Sequence, residues 1–156
     1  MKMYITKKKI PILFDKRDLH IVKRNPWYIA KDRRNFYVYY REYKSKLNTR
    51  LHTVIMNPSK GMVVDHINGN GLDNRRKNLR VCFNSENVCN RKRNKNNSTG
   101  YKGVVFDKRY THRLKPFATR VGNKEYGRFK TKEEAALKYN EIAKVLFKGF
   151  ARLNII

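Results

Sequence analysis

Between Val63 and Asn90 the chain reads VVDHINGNGLDNRRKNLRVCFNSENVCN, and no other stretch limits its local fold as tightly. Met62–His66 reads as a strand. Ile67 to Lys77 is a loop, in which Asn68-Gly69-Asn70-Gly71 supplies positions that tolerate positive φ. Leu79–Phe83 reads as a second strand, and Ser85 is placed to cap a helix over 86–93. Chemistry is concentrated in the same stretch. Asp65-His66 is followed by Asn78 (78 − 66 = 12 positions on) and by Asn87 (87 − 66 = 21 positions on).

The surroundings say what such a unit would meet. The 156 residues hold 38 Lys+Arg against 12 Asp+Glu, a formal net charge of +26. An excess of that size suits a polyanion, because each Lys or Arg set on a phosphate releases condensed counterions. A hydrophobic content of 40% with 10 Tyr and 8 Phe argues for a packed core over wholesale disorder. No apolar run approaches the roughly 18 residues a membrane span needs. The N-terminal MKMYITKKKIPILF is broken by Pro11 and ends at Asp15, so it makes a poor signal peptide. Cys82 and Cys89 are the only cysteines. One such pair cannot supply four zinc ligands, so no structural zinc is expected, and two free thiols suit a reducing cytoplasm.

Four regions follow. Residues 1–57 read as β-rich, with strand candidates at Ile10–Phe14, Leu19–Val22, Trp27–Ala30, Phe36–Tyr43 and Leu51–Met56, and a turn at 15–18. Residues 58–93 hold the strand–loop–strand–helix unit. Residues 94–98 lie in the basic, low-complexity run RKRNKNNS and read as a linker. Residues 99–156 form a second module, with strands at Tyr101–Phe106, Phe117–Val121 and Tyr126–Phe129. Its helix opens on the capping box Thr131-Lys-Glu-Glu134 and runs to Phe147, with Gly149 past its end. Ala135, Tyr139, Ile142, Ala143 and Leu146 form that helix's apolar face. The fold class is α+β.

A neutral imidazole takes a proton from water near neutral pH, since its ordinary pKa is about 6.5. Asp65 and Asn87 offer a carboxylate and an amide oxygen to a hard cation, Mg²⁺ or Mn²⁺, which keeps water or phosphate in its other positions. Asn78 could accept an imidazole N–H and free the other ring nitrogen. Structural readings compete: Asp65 and Asn78 as caps, Asn87 as an exposed helix residue, and Asn74 or Asn90 in the place of the chosen asparagines.

Leu51-His52, Val64-Asp-His-Ile-Asn-Gly-Asn70, Asp73-Asn-Arg75, Asn78-Leu-Arg80 and Ser85-Glu-Asn87 together resemble the HNH endonuclease family of phage and intron homing enzymes. The resemblance implies a two-strand-plus-helix metal finger in which His66 is the general base, Asn78 positions it, and Asp65 and Asn87 hold one divalent metal. His52 and Arg75 are supporting residues. It also implies cleavage that leaves a 3′ hydroxyl and a 5′ phosphate.

Across 99–154, Tyr101-Lys-Gly-Val104, Phe117-Ala-Thr-Arg-Val121, Tyr126-Gly-Arg-Phe129, Glu134-Ala-Ala136, Tyr139-Asn140 and Ala151-Arg-Leu-Asn154 resemble the plant ethylene-response-factor DNA-binding domain. Phe117 stands where that domain usually has Trp, and Val105 where it usually has Arg. The resemblance implies a sheet that reads DNA, with Lys102, Lys108, Arg109, Arg120, Lys124 and Arg128 as contact candidates. Alternation puts Phe117, Thr119 and Val121 toward the helix and Ala118 and Arg120 away from it. It also gives Lys124, Tyr126 and Arg128 a common face.

The expectation is a site-specific, homing-type endonuclease that acts as a monomer on double-stranded DNA. It uses no small organic cofactor and no membrane, and works in the cytoplasm of a bacterial host if phage-encoded. A non-catalytic DNA-binding regulator is the main alternative, and an RNA-binding protein a third.

Overall fold

The computed structural model describes residues 2–4, 10–32, 35–43 and 47–156. Residues 5–9, within the basic N-terminal run, lie outside them. The chain divides into two compact units, Met1–Asn87 and Val88–Ile156.

In the first unit, β1 (Lys2–Tyr4) pairs antiparallel with β2 (Pro11–Leu13). Helix α1 (Leu19–Arg24) follows, then a three-stranded antiparallel sheet of β3 (Tyr28–Asp32), β4 (Asn35–Arg41) and β5 (Asn48–Arg50) with β4 central. Helix α2 (Leu51–Met56) leads to the hairpin β6 (Val63–His66) and β7 (Leu79–Cys82), and helix α3 (Asn84–Cys89) closes the finger. One core holds Ile12, Phe14, Val22, Trp27, Val38, Leu51, Ile55, Val64 and Leu79. The β-rich region and the finger are therefore packed as one body.

Two segments expected as strands are helices. Leu51, His52 and Ile55 are buried in α2, and Val22 in α1. Spacings of three and four put the buried α2 residues on one helical face, and that packing overrides the strand bias of Thr53, Val54 and Ile55. Residues 16–18 form a 3-10 turn. Helix α3 begins at Asn84, so Ser85 lies inside it and is not its cap.

The second unit is a three-stranded antiparallel sheet of β8 (Val104–Phe106), β9 (Phe117–Val121) and β10 (Lys124–Phe129) against helix α4 (Lys132–Phe147). The Thr131–Glu134 capping box forms as expected. Thr119 donates its hydroxyl to the Ala135 carbonyl (2.7 Å), and Val121 packs with Tyr139 and Ala143, so β9 turns its expected face to the helix. Leu146 is exposed, contrary to expectation, and the left-handed residue after the helix is Lys148 (φ 47°), not Gly149. Asn97, expected in the linker, is bound into this unit by its amide, which donates to the carbonyls of Tyr101 (2.8 Å) and Val104 (3.1 Å).

Candidate active site

The finger hairpin pairs Asp65 with Arg80 and His66 with Leu79. His66 thus ends a strand whose next residue opens the loop. Asp65 and His66 are both buried, at 7% and 5% exposure. The loop is closed at its mouth by Ile67 N–H donating to the Asn78 carbonyl (2.9 Å). Its asparagines satisfy its own backbone: Asn68 Oδ1 accepts from Asn70 N–H (2.8 Å), and Asn70 Oδ1 from Leu72 N–H (3.1 Å). Arg75 grips both carboxylate oxygens of Asp73 at 2.7 Å and holds that carboxyl below its ordinary pKa. Gly71 has no room for a side chain. A Cβ there would collide with the Phe36 carbonyl oxygen and the Tyr37 ring.

Asn78 was expected to orient His66. Its amide is instead bound to the loop: Oδ1 accepts from Asn68 N–H (3.0 Å) and Nδ2 donates to the Asp73 carbonyl (2.8 Å). These bonds span the loop and fix its shape. The amide that favours the charged form of the His66 imidazole is that of Asn74, which is fully buried. The sequence offered Asn74 only as a competitor, together with Asn90.

His52 belongs to the same cluster. Its ring meets His66 edge to face, with centroids 4.7 Å apart, and Tyr37 lies 5.8 Å from each. Arg50 stands over Tyr37 (5.2 Å) and Tyr39 (5.6 Å) and is ion-paired to Asp32 (2.6 Å). Burial pushes the His52 imidazole down to about 3, helped by the charges of His66 and Arg50. Burial likewise lowers His66, opposed by Asn74, Asp65 and Asp73. Both rings are therefore neutral near pH 7, the state in which an imidazole accepts a proton. Tyr37 and Arg50 carry no local signal in the sequence. Only the pairing of β4 with β5 brings them to the histidines.

Asp65 Oδ2 accepts from Arg80 Nε (2.9 Å) and Nη2 (2.7 Å). Asn87 lies on α3, half-buried, in the same unit. Among the described residues no three His, Cys, Asp or Glu side chains gather as metal ligands. Asp65 and Asn87 offer one carboxylate and one amide oxygen, donors of the kind a hard cation that keeps most of its waters accepts. Arg75 serves Asp73, within the loop.

In the second unit the six basic candidates separate. Lys108 and Lys124 are exposed. Arg109 is bound to Asp107 (2.9 Å) and Arg120 to Glu125 (3.3 Å). Arg128 reaches both Asp107 and Glu125 and lies 3.5 Å from the Tyr110 ring centroid. Lys102 turns inward, donating to the Cys89 carbonyl (2.6 Å), and burial lowers its ammonium to about 8. Lys124, Tyr126 and Arg128 do not share one face. A bulge between Glu125 and Arg128, with Gly127 at φ 123°, shifts the register. Glu125 and Arg128 then stand with Arg120 on the outer face, while Tyr126 packs toward Val121 and Tyr139.

A model of the HNH endonuclease family matches residues 57–89, from α2's end through the hairpin to α3. An uncharacterized HNH endonuclease of Acanthamoeba polyphaga mimivirus is 31% identical over 146 residues, covering 87% of this chain and 70% of that protein. No solved structure matches the chain significantly.

Proposed function

The chain belongs to the HNH endonuclease family, and from that premise we propose a homing-type endonuclease that hydrolyses a DNA phosphodiester with His66 as general base and one divalent cation. The observation that carries this reading is the His66 imidazole, buried and lowered, beside Asp65 at the mouth of a rigid loop. His66 takes a proton from water. The water oxygen attacks phosphorus, the bond to the 3′ oxygen breaks, and that oxygen gains a proton from solvent to leave a 3′ hydroxyl and a 5′ phosphate. Asp65 and Asn87 would hold the cation, Mg²⁺ or Mn²⁺, which when bound polarises the phosphate and assists the departing oxygen. Asn78 keeps the loop beside His66 in shape, and Arg75 braces Asp73 within it.

The second unit, a sheet backed by a helix, supports the reading of a DNA-binding module like that of plant ethylene-response factors. Lys108 and Lys124 are exposed and outside the ion pairs of the described residues, and Arg109, Arg120 and Arg128 would exchange carboxylate for phosphate or base. A monomer on double-stranded DNA, in the cytoplasm of a phage or mobile-intron host, completes the proposal.

One observation favours a non-catalytic DNA-binding protein: Asp65 is held by Arg80 in a nearly buried ion pair, a structural use for a carboxylate. Conversion of supercoiled plasmid carrying source-genome DNA separates the two readings. Cleavage in Mg²⁺ or Mn²⁺, lost with EDTA and in His66→Ala, is the expected result. A His66→Ala protein that cuts at the parental rate overturns the proposal, and a salt-sensitive mobility shift without conversion favours the binder.

A further inference from the structure

The three-stranded sheet of the first unit has two unlike faces. On one, Ile29 lies opposite Val38, with Tyr40 further along β4, and all three pack into the core. The other carries Tyr28 and Asp32 of β3, Tyr37, Tyr39 and Arg41 of β4, and Arg50 of β5. Among the described residues none of these three tyrosines belongs to a hydrophobic core. Their rings form a row that starts at the candidate active site. Centroids lie 5.8 Å apart from His66 to Tyr37, 6.4 Å from Tyr37 to Tyr39 and 6.0 Å from Tyr39 to Tyr28. The finger's loop covers the inner end, where Asn35 Nδ2 donates to the Gly69 carbonyl (2.9 Å) and Gly71 lies against Tyr37. The outer end is open, with Tyr28 36% exposed and Arg41 exposed.

Arg50 stands in the middle of this row. Its guanidinium lies over Tyr37 and Tyr39, its Nε donates to the Tyr39 hydroxyl (3.2 Å), and its Nη2 donates to Asp32 (2.6 Å). The fork is aimed by its neighbours while 43% of the side chain stays exposed. An ion pair this open contributes little to stability, so stability alone does not explain its placement. A guanidinium aimed in advance takes phosphate with the geometry it uses for a carboxylate. Aromatic rings beside arginine also make up surfaces that follow a nucleic-acid strand. Asp32 is the one carboxylate on this face among the described residues, and Arg50 neutralises it. Arg41 then leaves the face positive, as a polyanion requires.

We propose that this face is a track for one strand of the substrate DNA, in which Arg50 leaves Asp32 to bind a phosphate and Tyr28 and Tyr39 pack against the neighbouring sugar and base. The row of rings joins the track to His66, so a strand lying on it passes the candidate active site. Asp32 holds the guanidinium in place until phosphate replaces it. The proposal rests on the nuclease reading for the identity of the strand, and its binding test needs no cleavage.

The test follows fluorescence anisotropy of a labelled random-sequence DNA duplex titrated with the full chain over a range of salt. Arg50→Gln should make the plot of log affinity against log salt shallower by about one, the share of a single phosphate contact, and Arg50→Lys should keep the parental slope. Asp32→Asn should bind more tightly than the parent. It should also exceed Glu141→Gln, which removes one exposed acidic charge from the second unit. That gain should vanish when Asp32→Asn is combined with Arg50→Gln, because the two side chains then no longer act through each other. Tyr28→Ala should weaken binding about fivefold or more at unchanged slope, the usual effect of removing a stacking ring, and Tyr28→Phe should not. A parental slope in Arg50→Gln, or an Asp32→Asn gain that survives without Arg50, overturns the track. So does parental affinity in Tyr28→Ala. The same losses seen only with an RNA duplex of that sequence overturn the assignment to DNA. Should Arg50→Gln not fold, Asp32→Asn against Glu141→Gln decides, and no excess gain overturns the track. If the binding expectations hold while His66→Ala cuts plasmid at the parental rate, the nuclease reading fails and the track stands.

Discussion

His52 and His66 meet with ring centroids 4.7 Å apart beside Tyr37 and the charge of Arg50, so a proton on either ring is disfavoured by burial and by Arg50. This arrangement has a sign in stability. The folded pKa of His52, about 3, lies below its ordinary value, so the unfolded chain binds the proton first as pH falls. His52 therefore contributes full stability above about pH 6.5 and loses it progressively down to about pH 3. His66, shifted the same way, adds to the loss. Chemical denaturation between pH 7 and pH 5 should show a falling midpoint in the parent and a flatter one in His52→Phe; equal slopes would mean that His52 is not buried in its neutral form. That window lies above the range where carboxylates such as Asp73 and Asp107, both lowered by arginine partners, begin to matter. A second residue-scale expectation concerns Gly71. A methyl group there must displace the Phe36 carbonyl or the Tyr37 ring, and with it the loop that joins His66 to Asn78. Gly71→Ala should destabilise the first unit by about 1–3 kcal/mol, as overpacking does, and reduce cleavage more than DNA retention. Parental Tm and rate would mean that the loop does not pack on β4 as described.

Helix α4 shows which elements announce themselves locally. Thr131 accepts from Glu134 N–H while the Glu134 carboxylate accepts from Thr131 N–H, so two otherwise orphaned donors are satisfied by a four-residue signal. Thr131→Ala should lower stability by about 0.5–2 kcal/mol in thermal unfolding, with the sheet's hydrogen bonds intact; no change would indicate that packing of Ala135, Tyr139 and Ala143 alone sets the helix start. The hairpin of the finger was legible for a similar reason, since loop glycines and asparagines separate two short runs rich in β-branched and apolar residues. Helices α1 and α2 were not legible. Their residues favour strands in isolation, and only burial of Val22, Leu51 and Ile55 in a core shared with β4 and β6 makes them helical. The face of β10 was misjudged because alternation carries no warning of the bulge at Gly127. At the candidate site, His66, Asp65 and Asn78 could be read from spacing. Asn74, Tyr37 and Arg50 could not, because the bridge from Leu13 to Asp73 and the pairing of β4 with β5 are tertiary contacts that no local pattern announces.

Across the whole chain the formal charge of +26 sets how binding must behave. Part of this charge is already committed. Arg75, Arg76, Arg80, Arg109, Arg120 and Arg128 are paired with carboxylates within their own units, so they are not all available to phosphate at no cost. Binding to a duplex should fall linearly with the logarithm of salt concentration, with a slope of about −0.9 for each phosphate neutralised. Lys108 and Lys124 are exposed and lie outside these pairs, so they should count fully. Replacing both by Gln should make the slope shallower by about two in fluorescence anisotropy titrations, with Tm unchanged. Arg128→Gln should behave differently. It removes a guanidinium packed on Tyr110 and bonded to Asp107 and Glu125, so it should lower Tm as well as affinity. Equal slopes for the double lysine variant and the parent would move the DNA contact away from these two lysines and onto the first unit. The basic surface would then serve the finger alone, and the second unit would need another partner.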